Sequence, residues 1–222
     1  MAFSRIEGSA LGRWTAVGAG TGFLALTVAV YFGLLDTWDA HARQWFRPDD
    51  VWGDRQLRAD LVVEGLRPER MLPILAGFVL VLCLLRRSLR PAVITAGAGL
   101  LLGVPAFVTK VAVSRPDPHQ IGDGASYPSG HTATVILCFG LMVFLLRPDS
   151  PWWIWLLPGL AGALMGVCLL VQAAHWASDV LGGGLLGLAV LGAVTAVGYG
   201  GEGLKIKKIR RLPASVSRTA RE

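Results

Sequence analysis

Charge is scarce in this chain. Asp, Glu, Lys and Arg together make up 16% of its 222 residues, well under the roughly 25% of an ordinary soluble domain. A globule of this size cannot clothe its surface with so few charges, so a soluble fold is excluded. Cysteine is scarcer still: Cys83, Cys138 and Cys168 are the only three, odd in number and set within apolar runs, which excludes a disulfide framework. They read as small membrane-buried side chains. Acidic residues are outnumbered, with 15 Asp and Glu against 21 Lys and Arg, so an acidic, disordered or solvating chain is excluded as well.

What the chain has in abundance is apolar surface, with 53% hydrophobic residues and a mean hydropathy of +0.54. A helix needs about 20 apolar residues to cross a bilayer core, and six segments qualify: 15–35, 66–85, 91–113, 129–146, 152–173 and 179–199. The second is the shortest, because Arg67, Glu69 and Arg70 crowd its start. The expected fold is therefore all-α, an integral membrane bundle of six transmembrane helices over residues 1–200, followed by a basic tail at 201–222. The first run follows Arg5 and Arg13 but is longer than a signal-peptide core and precedes no convincing cleavage site, so it is expected to remain as the first helix.

Cations set the orientation. With a cytoplasmic amino terminus, the inner segments hold Arg5, Arg13, Arg86, Arg87, Arg90, Arg147 and the tail cations Lys205, Lys207, Lys208, Arg210, Arg211, Arg218 and Arg221. These are 13 of the 21 cations, against Glu7, Asp149, Glu202 and Glu222 among the 15 acids. The tail is then a lipid anchor rather than a nucleic-acid site. Residues 36–70, with Trp38, Trp45, Phe46 and Trp52 among mixed charges, form the outer loop. This segment is either an amphipathic helix on the outer leaflet that guides a lipid headgroup or a solvated connector. Glycine pairs at Gly18/Gly22, Gly99/Gly103, Gly162/Gly166 and Gly183/Gly187 predict close helix packing. The run Gly182-Gly183-Gly184 lies in an apolar helix and reads as tight packing behind a site. A bias to Gly, Ala, Val and Arg points to a bacterial source.

The chemistry lies at the edges of these apolar runs, where a titratable group is costly to place and usually functional. His175 and Asp179 stand at i and i+4, so on a helix the carboxylate can accept Nδ1–H and leave Nε2 free as a nucleophile. Pro128-Ser129-Gly130-His131 reads as a helix start. Ser129 is its cap, Gly130 lets a ligand approach the backbone, and His131 in the first turn can donate a proton to a leaving group. Free N–H groups at that end suit phosphate, as do the upstream Lys110 and Arg115. Metal binding is the rival use of these groups, but no third ligand with zinc-like spacing accompanies His175 and Asp179, unless His119 is recruited.

These segments resemble the signature motifs of the type 2 phosphatidic acid phosphatase superfamily, the membrane lipid phosphatases related to vanadium haloperoxidases. The second family motif, Pro-Ser-Gly-His, matches in full at 128–131. The third, Ser-Arg, five residues, His, three residues, Asp, matches at His175 and Asp179. The first, Lys, six residues, Arg-Pro, departs: Asp117-Pro118 stands where Arg-Pro is expected from Lys110, with Arg115-Pro116 two residues earlier. In the third motif, Cys168 and Leu169 replace Ser-Arg.

The resemblance implies that His175 attacks phosphorus to form a phosphohistidine, Asp179 orients it and His131 protonates the departing lipid oxygen. Lys110, Ser129 and Gly130 would hold phosphate oxygens, with no metal and no cofactor. For the missing arginines four accounts stand open: Arg115 swings in, Asp117 pairs with it, Gln172 or His119 supplies donors, or hydrolysis is lost. The expected function is a membrane phosphatase acting on a polyprenyl or glycerophospholipid phosphate or diphosphate at the outer leaflet. The alternatives are a catalytically weak lipid-phosphate-binding or lipid-moving protein of the same fold, and a lipid phosphotransferase. The expected partners are a membrane lipid substrate and the bilayer, with no nucleic acid, and nothing in the pattern specifies an oligomeric state.

Overall fold

The computed structural model describes residues 5–119, 125–148 and 150–200. The basic tail lies outside them. Eight helices follow in order: α1 (Arg5–Tyr31), α2 (Asp36–Phe46), α3 (Asp54–Leu66), α4 (Pro68–Arg86), α5 (Arg90–Val113), α6 (Gly130–Leu146), α7 (Leu156–Val171) and α8 (Ala177–Gly200), with short 3-10 turns at Pro48–Asp50 and Trp152–Trp155. The chain is an all-α membrane bundle. Five stretches are long and apolar enough to cross a membrane: Gly8–Tyr31, the α3–α4 stretch Asp54–Arg86, Arg90–Val113, Trp152–Val171 and Ala177–Gly198. The sixth, α6, is shorter and almost wholly buried among α4, α7 and α8. A helix surrounded by protein need not match the bilayer thickness.

Helix boundaries follow local chemistry. The first helix begins about ten residues before the expected start and stops at Tyr31. It stops there because Gly33 takes φ +68 and Leu34 N–H bonds back to Ala29 carbonyl at 2.9 Å, a left-handed C-terminal cap that glycine adopts without strain. Pro68 opens α4 at its first turn, where a missing N–H costs nothing. Ser129 caps α6 as expected. Most of the segment 36–66, expected as an outer loop, is helical, in α2 and α3.

The longest packing seam joins α1 to α8. There the backbones meet at Gly12 and Gly192, where a Cβ on Gly192 would lie 2.6 Å from Ala16 N. Of the glycine pairs expected to mediate packing, Gly162/Gly166 and Gly183/Gly187 do so, against Ile136, Val180, Ser129 and Ala133. Gly99 and Gly103 face open space, as does Gly18, while Gly22 reaches only ordinary contact with Leu185. Spacing places two glycines on one helical face, but which face meets a neighbour is decided by the bundle. The seam also sets direction: Ser9 Oγ donates to Ala196 carbonyl at 3.1 Å, so the start of α1 lies beside the end of α8. At that same end Arg86 donates to the Leu145 carbonyl. The chemistry-bearing residues gather at the opposite end.

Candidate active site

The site is built where α5 ends, α6 begins and the α7–α8 turn passes between them. Two links hold these pieces. Ser129 N–H donates to the Asp179 carbonyl at 2.9 Å, and Gly183 lets the Ser129 backbone lie against α8. Behind them Tyr127, fully buried, packs on Gly182 and shares a 2.9 Å hydrogen bond with Thr27. Burial pushes its phenol up to about 12, so it stays a neutral bracket. The expectation that the glycine run packs behind the site is met at Gly182 and Gly183, whereas Gly184 meets open space.

The α7–α8 turn presents the histidine. Ala173 adopts φ 53, and Ala174 N–H returns to the Leu169 carbonyl at 3.0 Å, which closes α7 and aims His175 away from it. His175 Nδ1 lies 3.4 Å from Asp179 Oδ2, the pairing expected at i and i+4. The same oxygen accepts Trp176 N–H at 3.0 Å, which fixes the carboxylate. The rings of His131 and His175 meet edge to face, with centroids 6.0 Å apart and planes at 66°. Gly130 has nothing within 4 Å of where a Cβ would stand, so the backbone at the start of α6 is approachable there. Lys110, in the last turn of α5, donates to the Ala125 carbonyl.

Two expected phosphate contacts are placed differently. Ser129 is fully buried, and its hydroxyl is directed at Thr132, whose N–H lies 3.4 Å away. It caps the helix. Arg115 does not stand free: it donates to Asp39 Oδ2 at 2.7 Å, Asp36 Oδ1 at 3.2 Å and Asp179 Oδ1 at 3.3 Å, and to Ser178 Oγ at 2.6 Å. Its guanidinium carbon lies 5.1 Å from the Trp176 ring centroid. Four acceptors take up its two terminal nitrogens, and Arg115 braces Asp179 through Oδ1, the oxygen that does not face His175.

The other proposed substitutes are also occupied. Asp117 accepts His119 N–H at 2.8 Å. Gln172 Nε2 donates to Asp60 at 2.9 Å. His119 Nε2 lies 3.1 Å from Arg47 Nη1 and 3.3 Å from the Gln172 carbonyl. Leu169, in place of the third-motif arginine, is a core residue beside Met165 and Val135. Among the described residues no group of three His, Cys, Asp or Glu could hold a metal ion. Sequence reasoning missed Asp39, Arg47 and Ser178. Asp39 and Ser178 are fully buried, and the one available signal was that Asp36 and Asp39 share a face of α2 at i and i+3.

Comparison with known proteins agrees with the geometry. Two curated relatives match over 81 residues each. A lipid A 1-phosphatase of Porphyromonas gingivalis is 41% identical, over 34% of this chain and 16% of the relative. An undecaprenyl-diphosphatase of Sulfolobus acidocaldarius is 35% identical, over 36% of this chain and 35% of the relative. The chain thus spans well under two thirds of either relative. The crystal structure of a transmembrane PAP2-type phosphatidylglycerolphosphate phosphatase from Bacillus subtilis superposes with a TM-score of 0.73 at 18% identity, covering 86% of this chain and all of that one, which establishes a shared fold. The model of the PAP2 superfamily matches residues 87–200, about half the chain and every helix that carries the site's histidines, lysine and carboxylate, and the chain belongs to that superfamily.

Proposed function

We propose that the protein is a metal-independent membrane phosphatase that hydrolyses a lipid phosphate through a phosphohistidine, with its site on the extracytoplasmic face. The observation that carries this reading is the facing pair His131 and His175, with Asp179 behind His175. His175 Nε2 attacks phosphorus as the phosphorus–oxygen bond to the lipid breaks, and His131 gives its proton to the departing oxygen. Water then attacks the phosphorus–nitrogen bond, His131 takes a proton from it, and inorganic phosphate leaves. Asp179 accepts Nδ1–H throughout and stabilises the charge on the imidazole. Lys110 and the first-turn N–H groups of α6 hold the phosphate oxygens.

The names of the relatives and of the structural neighbour are all phosphatase names, which supports a polyprenyl or glycerophospholipid phosphate as substrate class. With Leu169 and Asp117 where the family motifs carry arginine, the phosphate is left to Lys110, whose ammonium has donors beyond the one given to the Ala125 carbonyl. A monophosphate therefore suits it better than a diphosphate. The same two replacements favour, as a second reading, a catalytically weak lipid-phosphate-binding protein.

Release of inorganic phosphate from phosphatidic acid, polyprenyl phosphate and polyprenyl diphosphate vesicles, compared with His175→Ala, tests both. Turnover abolished by the substitution supports the phosphatase. No turnover on any substrate, with binding retained, supports the second reading. Activity that survives His175→Ala would sink the mechanism.

A further inference from the structure

Asp39 lies on α2, 76 residues before Arg115 and 139 before Ser178, the two groups it binds. It is nonetheless fully buried. Oδ1 accepts Ser178 N–H at 2.9 Å, and Oδ2 accepts Ser178 Oγ–H at 2.6 Å. Ser178 is in the first turn of α8, where N–H groups have no partner within the helix, so Asp39 caps the helix that carries Asp179. Its second bond is to Arg115 at 2.7 Å, whereas Arg115 reaches Asp179 only at 3.3 Å.

Two buried carboxylates therefore share one arginine, and the shorter, stronger bond goes to the carboxylate that does not touch His175. A charge-assisted hydrogen bond strengthens as it shortens, so Asp39 draws Arg115 away from Asp179. The charged groups around Asp39 are Asp36 from its own helix, Arg115 from the segment after α5, and Asp179 with its partner His175 at the start of α8. Without Asp39, Arg115 would close on Asp179 and take up the negative charge that the imidazole needs when phosphorus bonds to Nε2.

We infer that Asp39 is a positioning residue of the catalytic centre, which caps α8 and holds Arg115 back so that Asp179 keeps its charge for His175. This rests on the reading of His175 as nucleophile. Asp39→Asn is the discriminating variant. Its amide oxygen can still accept Ser178 N–H, so the cap survives while the charge is lost.

With the full chain in detergent and phosphatidic acid as substrate, Asp39→Asn should elute as folded protein and lose about tenfold or more in kcat, with KM within about twofold of the parent. Adding Arg115→Gln to Asp39→Asn removes the cation that has closed on Asp179. The double variant should then recover at least about threefold in kcat over Asp39→Asn, a non-additivity that lost packing cannot produce. Near-parental kcat in folded Asp39→Asn overturns the inference, and so does a double variant slower than Asp39→Asn. If Asp39→Asn fails to fold, Asp39→Ser decides. It too removes the charge that faces Arg115 and should lower kcat severalfold at constant KM, while a normal kcat overturns the inference. His175→Ala is the control for the underlying reading: if it is inactive while Asp39→Asn is normal, only the role of Asp39 falls.

Discussion

Gly183→Ala and Gly184→Ala, one residue apart on α8, should have opposite fates. A Cβ on Gly183 would stand 3.1 Å from the Ser129 carbonyl carbon and 3.2 Å from its Cβ, and closer still to the carbonyl oxygen. Those atoms are backbone and cap, and cannot rotate away. Ordinary contact lies near 3.4 to 4 Å, so the start of α6 must retreat from α8 by roughly 1 Å. Over-packing of this kind costs about 1–3 kcal/mol, a fall in Tm of about 2–12 °C at about 2–4 °C per kcal/mol for a chain of this size.

The retreat carries His131 away from His175, and a misplacement of about 1 Å at reacting groups can cost on the order of a hundredfold in rate. Gly184 has nothing within 4 Å, so its alanine variant should match the parent in both stability and turnover. Thermal stability by size-exclusion fluorescence and kcat on phosphatidic acid vesicles are the assays. A Gly183→Ala protein with parental kcat would refute the reasoning, because it would show that the α6–α8 contact does not set the distance between the histidines.

Arg115→Ala should act on stability and kcat before KM. It strands the fully buried Asp39 and Asp179, and breaking a buried ion pair from one side costs about 3–5 kcal/mol. A stable variant with raised KM alone would return Arg115 to the phosphate. If the site is extracytoplasmic, a single cysteine at position 210 in a cysteine-free background should resist an impermeant thiol reagent in intact cells, and labelling there would reverse the topology.

The helices were legible because membrane spans are continuous apolar runs whose length is set by the bilayer, and the pairing of His175 with Asp179 was legible because i and i+4 share a face on any helix. Contacts between distant segments were not. Asp36 and Asp39 look like surface acids in the sequence, and only the packing of α2 against α8 buries Asp39. Arg115 matched the chemistry of a phosphate ligand, but a guanidinium is claimed by whichever carboxylates the fold brings to it, and three arrive first. Ser129 was read correctly as a cap. Its burial depends on the approach of Gly183. The apolar run continues to residue 35, but α1 stops at Tyr31 because Gly33 turns the chain at φ +68.

The seam between α1 and α8 constrains the order in which the molecule can assemble. Of the described helices, α1 is made first and α8 last, yet each is the other's main neighbour. A nascent chain therefore holds α1 in the membrane with its Gly12 face uncovered while six further helices are made. Asp39 and Arg115 wait without Ser178 and Asp179, and His175 emerges only as the final helix begins. Closing the ring of helices and setting Asp179 between Arg115 and His175 are thus the same event, so a partly synthesised chain carries no assembled site.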